Sequence, residues 1–237
     1  MHRFFTEDIK EGIARVTGED VHHITKVLRL RKGETVEICD CRGTDYTGTI
    51  LAAGGDEVLF ALTDPRPAFG ETDLKVTLYQ ALAKGLKLDL VVQKAVELGT
   101  VSIVPVKTER CVAEPGDFEK KRQRFIRIAA EAAKQSRRGL LPAVGELIRL
   151  QDIDPGKHDI VFVAYEGERT RSIKDVLRGR TVTSAAVIIG PEGGFEQAEI
   201  DMLERKGVIS VSLGKSILRT ETAGLKAISV LMYEVTE

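Results

Sequence analysis

Ile188-Ile189-Gly190-Pro191-Glu192-Gly193-Gly194-Phe195 and, further on, Leu213-Gly214-Lys215-Ser216-Ile217-Leu218-Arg219-Thr220-Glu221-Thr222-Ala223 are the stretches that decide the fold. Each follows a short apolar run, over residues 185–189 and 208–213. Both runs are rich in β-branched residues, too short for a helix, and followed by glycine. Helical spacing resumes after each loop. Strand, glycine loop and helix in succession belong to an open α/β sheet, which binds ligands at the C-terminal ends of its strands. The Gly193-Gly194 pair lets backbone approach a ligand closely. The loop is no phosphate cradle, because GxxxxGK[ST] and GxGxxG are both absent. The missing fingerprint also excludes a nicotinamide-dependent dehydrogenase. Taken alone, a glycine-rich turn is only a turn.

The same alternation extends upstream. Strands are expected at 74–81, 101–106, 160–164, 185–189 and 208–213, with helices near 84–98, 117–138, 172–178, 196–206 and 220–235. Such a pattern makes an α/β domain with a mostly parallel sheet covered on both faces. Residues 1–68 read differently, as a small, mostly β domain. Strand-like runs at 35–39, 45–51 and 57–62 are separated by Gly43 and by Gly54-Gly55, and Asp20 is placed to cap a helix over 21–30. Asp64-Pro65-Arg66-Pro67-Ala68-Phe69-Gly70 reads as a linker, since prolines remove donors and stiffen the chain. The expected organisation is therefore a domain over 1–68, a linker over 69–73 and an α/β domain over 74–237.

The 237 residues carry a net charge of −1 with 30% charged side chains, so global basicity of the nucleic-acid-binding kind is missing and any RNA contact must be local. No apolar run reaches the length of a membrane span and the polar start lacks a signal-peptide core, which implies a cytoplasmic protein without a membrane partner. Cys39, Cys41 and Cys111 have no CxxC spacing and few histidines to complete a metal site, so they read as structural thiols and no metal is expected.

The two glycine loops together resemble the C-terminal signature of the SPOUT-class methyltransferases. Within that class they resemble the RsmE family, which methylates N3 of a uridine in 16S ribosomal RNA with S-adenosylmethionine as donor. Gln93-Lys94-Ala95-Val96-Glu97-Leu98-Gly99, Thr108-Glu109-Arg110-Cys111, and His23 followed by Val27-Leu28-Arg29 extend the resemblance over nearly the whole chain. One departure is Glu196, where the family usually has a Ser or Thr helix cap; a carboxylate there can still act through the helix dipole. The resemblance implies a C-terminal trefoil knot, a PUA-like β-barrel at the N-terminus that helps hold RNA, a homodimer, and a substrate in the 30S subunit. Methyl transfer from a sulfonium needs no enzyme nucleophile, which leaves Cys111 as packing.

S-adenosylmethionine has no phosphate, so its site calls for backbone hydrogen bonds and apolar walls. By resemblance the cofactor contacts are Ala164, Tyr165, Gly190, Gly194, Leu213, Gly214 and Leu218. Polar Arg219-Thr220-Glu221-Thr222 interrupts an apolar run where a helix should start, which suits helix initiation. It also suits catalysis. Uracil N3 carries a proton at neutral pH, so Arg219 is placed to stabilise negative charge on a uracil carbonyl and Glu221 to position the base or accept the proton. The helix near 117–138 is strongly basic, and Lys121, Arg124 and Arg138 are candidates for phosphate contacts, against the reading of a solvated face. Arg3, His23, Lys26 and Arg29 form a smaller candidate RNA patch. A noncatalytic RNA-binding assembly factor with the same fold is the competing function. Intact glycine loops and the Arg219–Thr222 cluster disfavour it, since a pure binder needs neither.

Overall fold

The computed structural model describes residues 2–236. The chain divides into two compact units, Met1–Glu71 with Ala133–Leu141, and Thr72–Ala132 with Pro142–Glu237.

The strands of the first unit are β1 (Arg3–Phe5), β2 (Ile9–Lys10), β3 (Ile13–Thr17), β4 (Thr35–Cys39), β5 (Thr44–Gly54) and β6 (Glu57–Pro67). Among the described residues they form one sheet in the order β1-β4-β5-β6-β3-β2. It is antiparallel apart from the β1–β4 pair. Alternate side chains bury Phe4, Ala14, Val16, Val36, Ile38 and Phe60 on one face. The proline segment expected as linker is strand instead, because Arg66 and Pro67 of β6 pair with Asp45 and Thr44 of β5. β3 pairs with β6 only as far as Ala61. Beyond that point β6 has one pairing edge, where a residue without an N–H is tolerated.

The helix expected over 21–30 is broken. α1 covers Glu19–His22, a π-helical turn follows over His23–Val27, and Arg29 at φ 56° ends it. Gly18 holds the N-cap position, while Asp20 pairs with Lys134 at 2.9 Å. The returning segment Ala133–Leu141 is held by Glu71, which accepts from Arg138 Nη2 at 2.7 Å and from the N–H groups of Gly139 at 2.8 Å and Leu140 at 2.9 Å.

The second unit contains β7 (Lys75–Ala81), α2 (Lys87–Glu97), β8 (Ser102–Lys107), α3 (Phe118–Gln135, whose last turn counts with the first unit), β9 (Ala143–Val144), β10 (Ile148–Arg149) and β11 (Ile160–Ala164). It continues with α4 (Ile173–Leu177), β12 (Ser184–Ile189), α5 (Gln197–Arg205), β13 (Ile209–Val211) and α6 (Thr220–Thr236). Among the described residues the sheet runs β10-β8-β7-β12-β11-β13, with β9 also on β8. All its pairings are parallel, as the alternation of strands and helices implies. Ala185, Ala186, Val187, Ile188 and Ile189 are all buried, because helices cover both faces of a parallel sheet. α6 packs against α2, α4, β7 and β12. Sheet order makes β7, β12 and β11 neighbours, so the segments leaving their C-terminal ends converge. Among the described residues no helix is long and apolar enough to cross a membrane.

Candidate active site

The convergence creates a cleft of about 400 Å³ at the C-terminal edge of the sheet. Ala164 and Glu166 enter from the end of β11, Ile189 through Glu192 with Gly194 and Phe195 from the loop after β12, and Ile217 through Thr220 with Ala223 from the start of α6; Lys87 reaches in from α2. Two glycines are required here. Gly194 sits at φ 68°, and a Cβ on it would run into the Glu166 carboxylate. At Gly190 a Cβ would stand 2.9 Å from the Phe195 ring, which fills the space instead.

A buried chain of hydrogen bonds sets this loop against the sheet. Gln80, at the end of β7 and fully buried, donates Nε2 to Thr220 Oγ1 at 2.8 Å, and the Thr220 hydroxyl donates to the Gly190 carbonyl at 2.6 Å. Among the described residues, Gln80 Oε1 and Glu221 Oε2 are buried without a hydrogen-bond partner. Across the cleft, Glu192 accepts from Lys87 Nζ at 2.7 Å and from the Lys84 N–H at 3.2 Å. Partial burial works to raise the Glu192 pKa, but the Lys87 bond and the N–H donors prevail and hold it below the usual carboxylate range.

The Thr108–Cys111 loop is tied to the same place. The Glu109 N–H donates to Glu199 Oε1 at 3.0 Å, and Arg110 donates to Glu196 Oε1 at 2.8 Å and to the Gly193 carbonyl at 3.2 Å. Glu199 also accepts the Glu196 N–H at 2.8 Å, so it closes the start of α5 from three residues inside. Glu196 is thereby turned toward Arg110, whose hydrogen bond and charge hold its carboxyl below the usual range.

Of the residues singled out by sequence, Ala164, Gly190, Gly194, Leu218 and Arg219 come together on the cleft wall. Tyr165, Leu213, Gly214 and Glu221 are not on it. Tyr165 packs on the sheet core and donates its hydroxyl to Gln197 at 2.9 Å, while Gly214, at φ 112°, is exposed. Lys87 and Gln80 carry no assigned role in the sequence, and Thr220 reads only as part of the helix-initiating cluster. Their partners lie far along the chain, so no local pattern marked them.

The expected RNA-contacting cations divide. His23, Lys26, Arg29, Lys121 and Arg124 are exposed. Arg124 also pairs with Asp89 at 2.7 Å. Arg138 and Arg3 are corrections: the Arg138 side chain is 2% exposed against Glu71, and that of Arg3 is 7% exposed with Asp45 at 2.6 Å. A guanidinium sequestered against a carboxylate does not meet a phosphate. The basic run of α3 is further balanced by the Arg122–Glu119 and Lys134–Asp20 pairs.

Residues 70–232 match the family model of an RNA methyltransferase domain, and residues 16–63 match that of an RNA methyltransferase PUA domain. Ribosomal RNA small subunit methyltransferase E of Bacillus subtilis is 34% identical over 99% of this chain and 97% of its own length. The protein of the same name from Aquifex aeolicus is 32% identical over 98% and 99%. The crystal structure of a ribosomal RNA small subunit methyltransferase E from Neisseria gonorrhoeae, bound to S-adenosyl methionine, is similar with a TM-score of 0.86 at 28% identity, over 98% of this chain and 97% of that one. With a parallel sheet, a cleft beside its glycine loop and near-full-length relatives in agreement, the chain belongs to the ribosomal RNA small subunit methyltransferase E family.

Proposed function

We propose that this protein transfers a methyl group from S-adenosylmethionine to N3 of a uracil in 16S ribosomal RNA of the small subunit. One observation carries the reading: the glycine-bearing loop after β12, the end of β11 and the segment entering α6 enclose a cleft with Arg219 on its wall. The cleft suits the cofactor chemically. Exposed backbone around Gly190 and Gly194 offers hydrogen bonds, and Ile189, Phe195, Ile217 and Leu218 offer apolar walls, without the cluster of lysines that a phosphate would need. Ala164, Gly190, Gly194 and Leu218 would hold it. When bound, the cofactor supplies an electrophilic methyl group on a sulfonium.

The chain's own residues must then deal with a protonated, weakly nucleophilic nitrogen. Arg219 stabilises the negative charge that spreads onto the uracil carbonyl as the N3 proton leaves. Glu221 lies beside the wall in the first turn of α6, and its buried oxygen, free of other partners among the described residues, positions the base or accepts the N3 proton. Exposed His23, Lys26 and Arg29 in the first unit, and Lys121 and Arg124 in the second, serve phosphate contacts. The reading includes a homodimer, which light scattering tests, and a knotted C-terminal segment. Mass mapping of methylated uridines in RNA treated with the protein tests the main proposal. Arg219→Ala is expected to lower turnover about a hundredfold and to leave cofactor affinity unchanged. Failure of the wild-type protein to methylate uridine in this RNA overturns the proposal.

A further inference from the structure

A second cavity, of about 320 Å³, lies entirely within the second unit beside the cleft. The β7–α2 connection and the first turn of α2 bound both: Lys87 lines the first, and Leu82, Lys84, Gly85 and Leu88 line the second. Its floor and walls are apolar, with Leu82, Leu88 and Phe125 buried and Phe118 half-buried. Its mouth is cationic. Lys84, Lys121 and Arg124 line it against the single carboxylate of Glu114.

These cations are available to a ligand. Among the described residues Lys121 Nζ donates only to the Glu114 carbonyl oxygen, at 3.1 Å, and neither Lys84 nor Lys121 is in an ion pair. Arg124 is bonded to Asp89, but at 44% exposure that pair costs little to open. One helix start adds to the positive end. α2 begins at Lys87, its N-cap residue Leu86 bonding none of the first amides through a side chain, whereas the start of α3 is already capped by Asp117, whose Oδ1 accepts the Lys120 N–H at 3.1 Å. Unsatisfied amides at a helix N-terminus favour an anion.

An apolar pocket with an aromatic wall and a cationic mouth matches one ligand chemistry: an unpaired base carrying its phosphate. We infer that this cavity takes the base of an RNA nucleotide flanking the one that is methylated, with Phe118 against the base and Lys84, Lys121 and Arg124 at its phosphate. The inference rests on the methyltransferase reading, which puts the target nucleotide in the neighbouring cleft. The shared 82–88 segment makes the two occupants neighbours along one strand. An unpaired flanking nucleotide gives the enzyme a grip on a single-stranded site, whereas helical RNA hides its base faces.

Photocrosslinking with the full chain tests this. Small-subunit ribosomal RNA containing 4-thiouridine is irradiated with the protein, and crosslinked peptides are mapped by mass; methyl transfer is measured in parallel. The expected crosslinks fall on residues 112–125. Phe118→Leu keeps apolar volume while removing the ring, and is expected to weaken RNA binding about tenfold, as loss of one stacked base does. Lys84→Ala with Lys121→Ala is expected to lower the salt dependence of binding by about one to two phosphate contacts. Cofactor affinity should be unchanged in all variants. Methylation by the wild-type protein with crosslinks only elsewhere, or RNA binding by Phe118→Leu and the double lysine variant equal to wild type, overturns the inference. If the wild-type protein transfers no methyl group, the methyltransferase reading falls, and the crosslinks still decide whether the cavity holds a base.

Discussion

Thr220→Val isolates the contact that fixes the glycine loop to the sheet. Thr220 is 5% exposed, and valine nearly reproduces its shape, so the substitution removes a hydroxyl and leaves packing in place. Two buried groups then lose a partner. Gln80 Nε2 keeps a longer bond to the Ala81 carbonyl at 3.3 Å, while the Gly190 carbonyl loses the 2.6 Å bond from the hydroxyl. At roughly 1–3 kcal/mol for a buried polar group left unpaired, with the Gln80 share reduced by its remaining bond, the cost is about 2–4 kcal/mol. For a chain of this length that lowers Tm by roughly 5–15 °C. Gly190 lines the cleft, so the affinity for S-adenosylmethionine should fall as well. The sequence contains no tryptophan, so thermal unfolding is best followed by far-ultraviolet circular dichroism, and cofactor affinity by calorimetry. Thr220→Ser restores the hydroxyl and should recover most of the loss. In a cycle with Gln80→Leu, the two single effects should be coupled by about 0.5 kcal/mol or more. A valine variant as stable as wild type, or effects that simply add, would refute the reasoning.

Three other perturbations test separate parts of the structure. Gly194→Val places a β-branched residue at φ 68° and pushes the Glu166 carboxylate aside; the strain is about 1–2 kcal/mol, and calorimetry should show cofactor binding lost. Glu71→Ala leaves Arg138 buried without its carboxylate and the N–H groups of Gly139 and Leu140 without their acceptor. It should destabilise the chain by about 3–5 kcal/mol in denaturant unfolding, whereas a change below about 1 kcal/mol would show that water replaces the carboxylate. Asp159 is held down to about 2 by the N–H groups of Thr183 and Ser184 and by the Thr183 hydroxyl. Because its pKa is depressed on folding, its contribution is fully present above the ordinary carboxylate pKa and is lost as pH falls from about 4 toward 2. Asp159→Asn should therefore lower Tm at pH 7 and converge with wild type in acid; an equal deficit at both pH values would contradict this.

The residues by themselves determined what depends on neighbours along the chain. Period and β-branched content placed β11 and β12, and the glycines after the strands marked where backbone comes close to a ligand; the family resemblance, not the pattern, assigned Gly190, Gly194, Leu218 and Arg219 to one site, and all four line the cleft. Local reading failed where a pattern had two physical meanings. The Asp64-Pro65-Arg66-Pro67 segment looks like a linker, but a strand with one pairing edge tolerates proline equally well. A run of cations looks like an RNA surface until the fold supplies carboxylates. Arg138 meets Glu71 across 67 positions, Lys87 meets Glu192 across 105, and Gln80 meets Thr220 across 140. Composition shows that opposite charges and spare donors exist, but not which of them meet. Only the tertiary structure decided that, because burial and electrostatic pairing depend on distance in space, and strand order, not position in the chain, brought these side chains together.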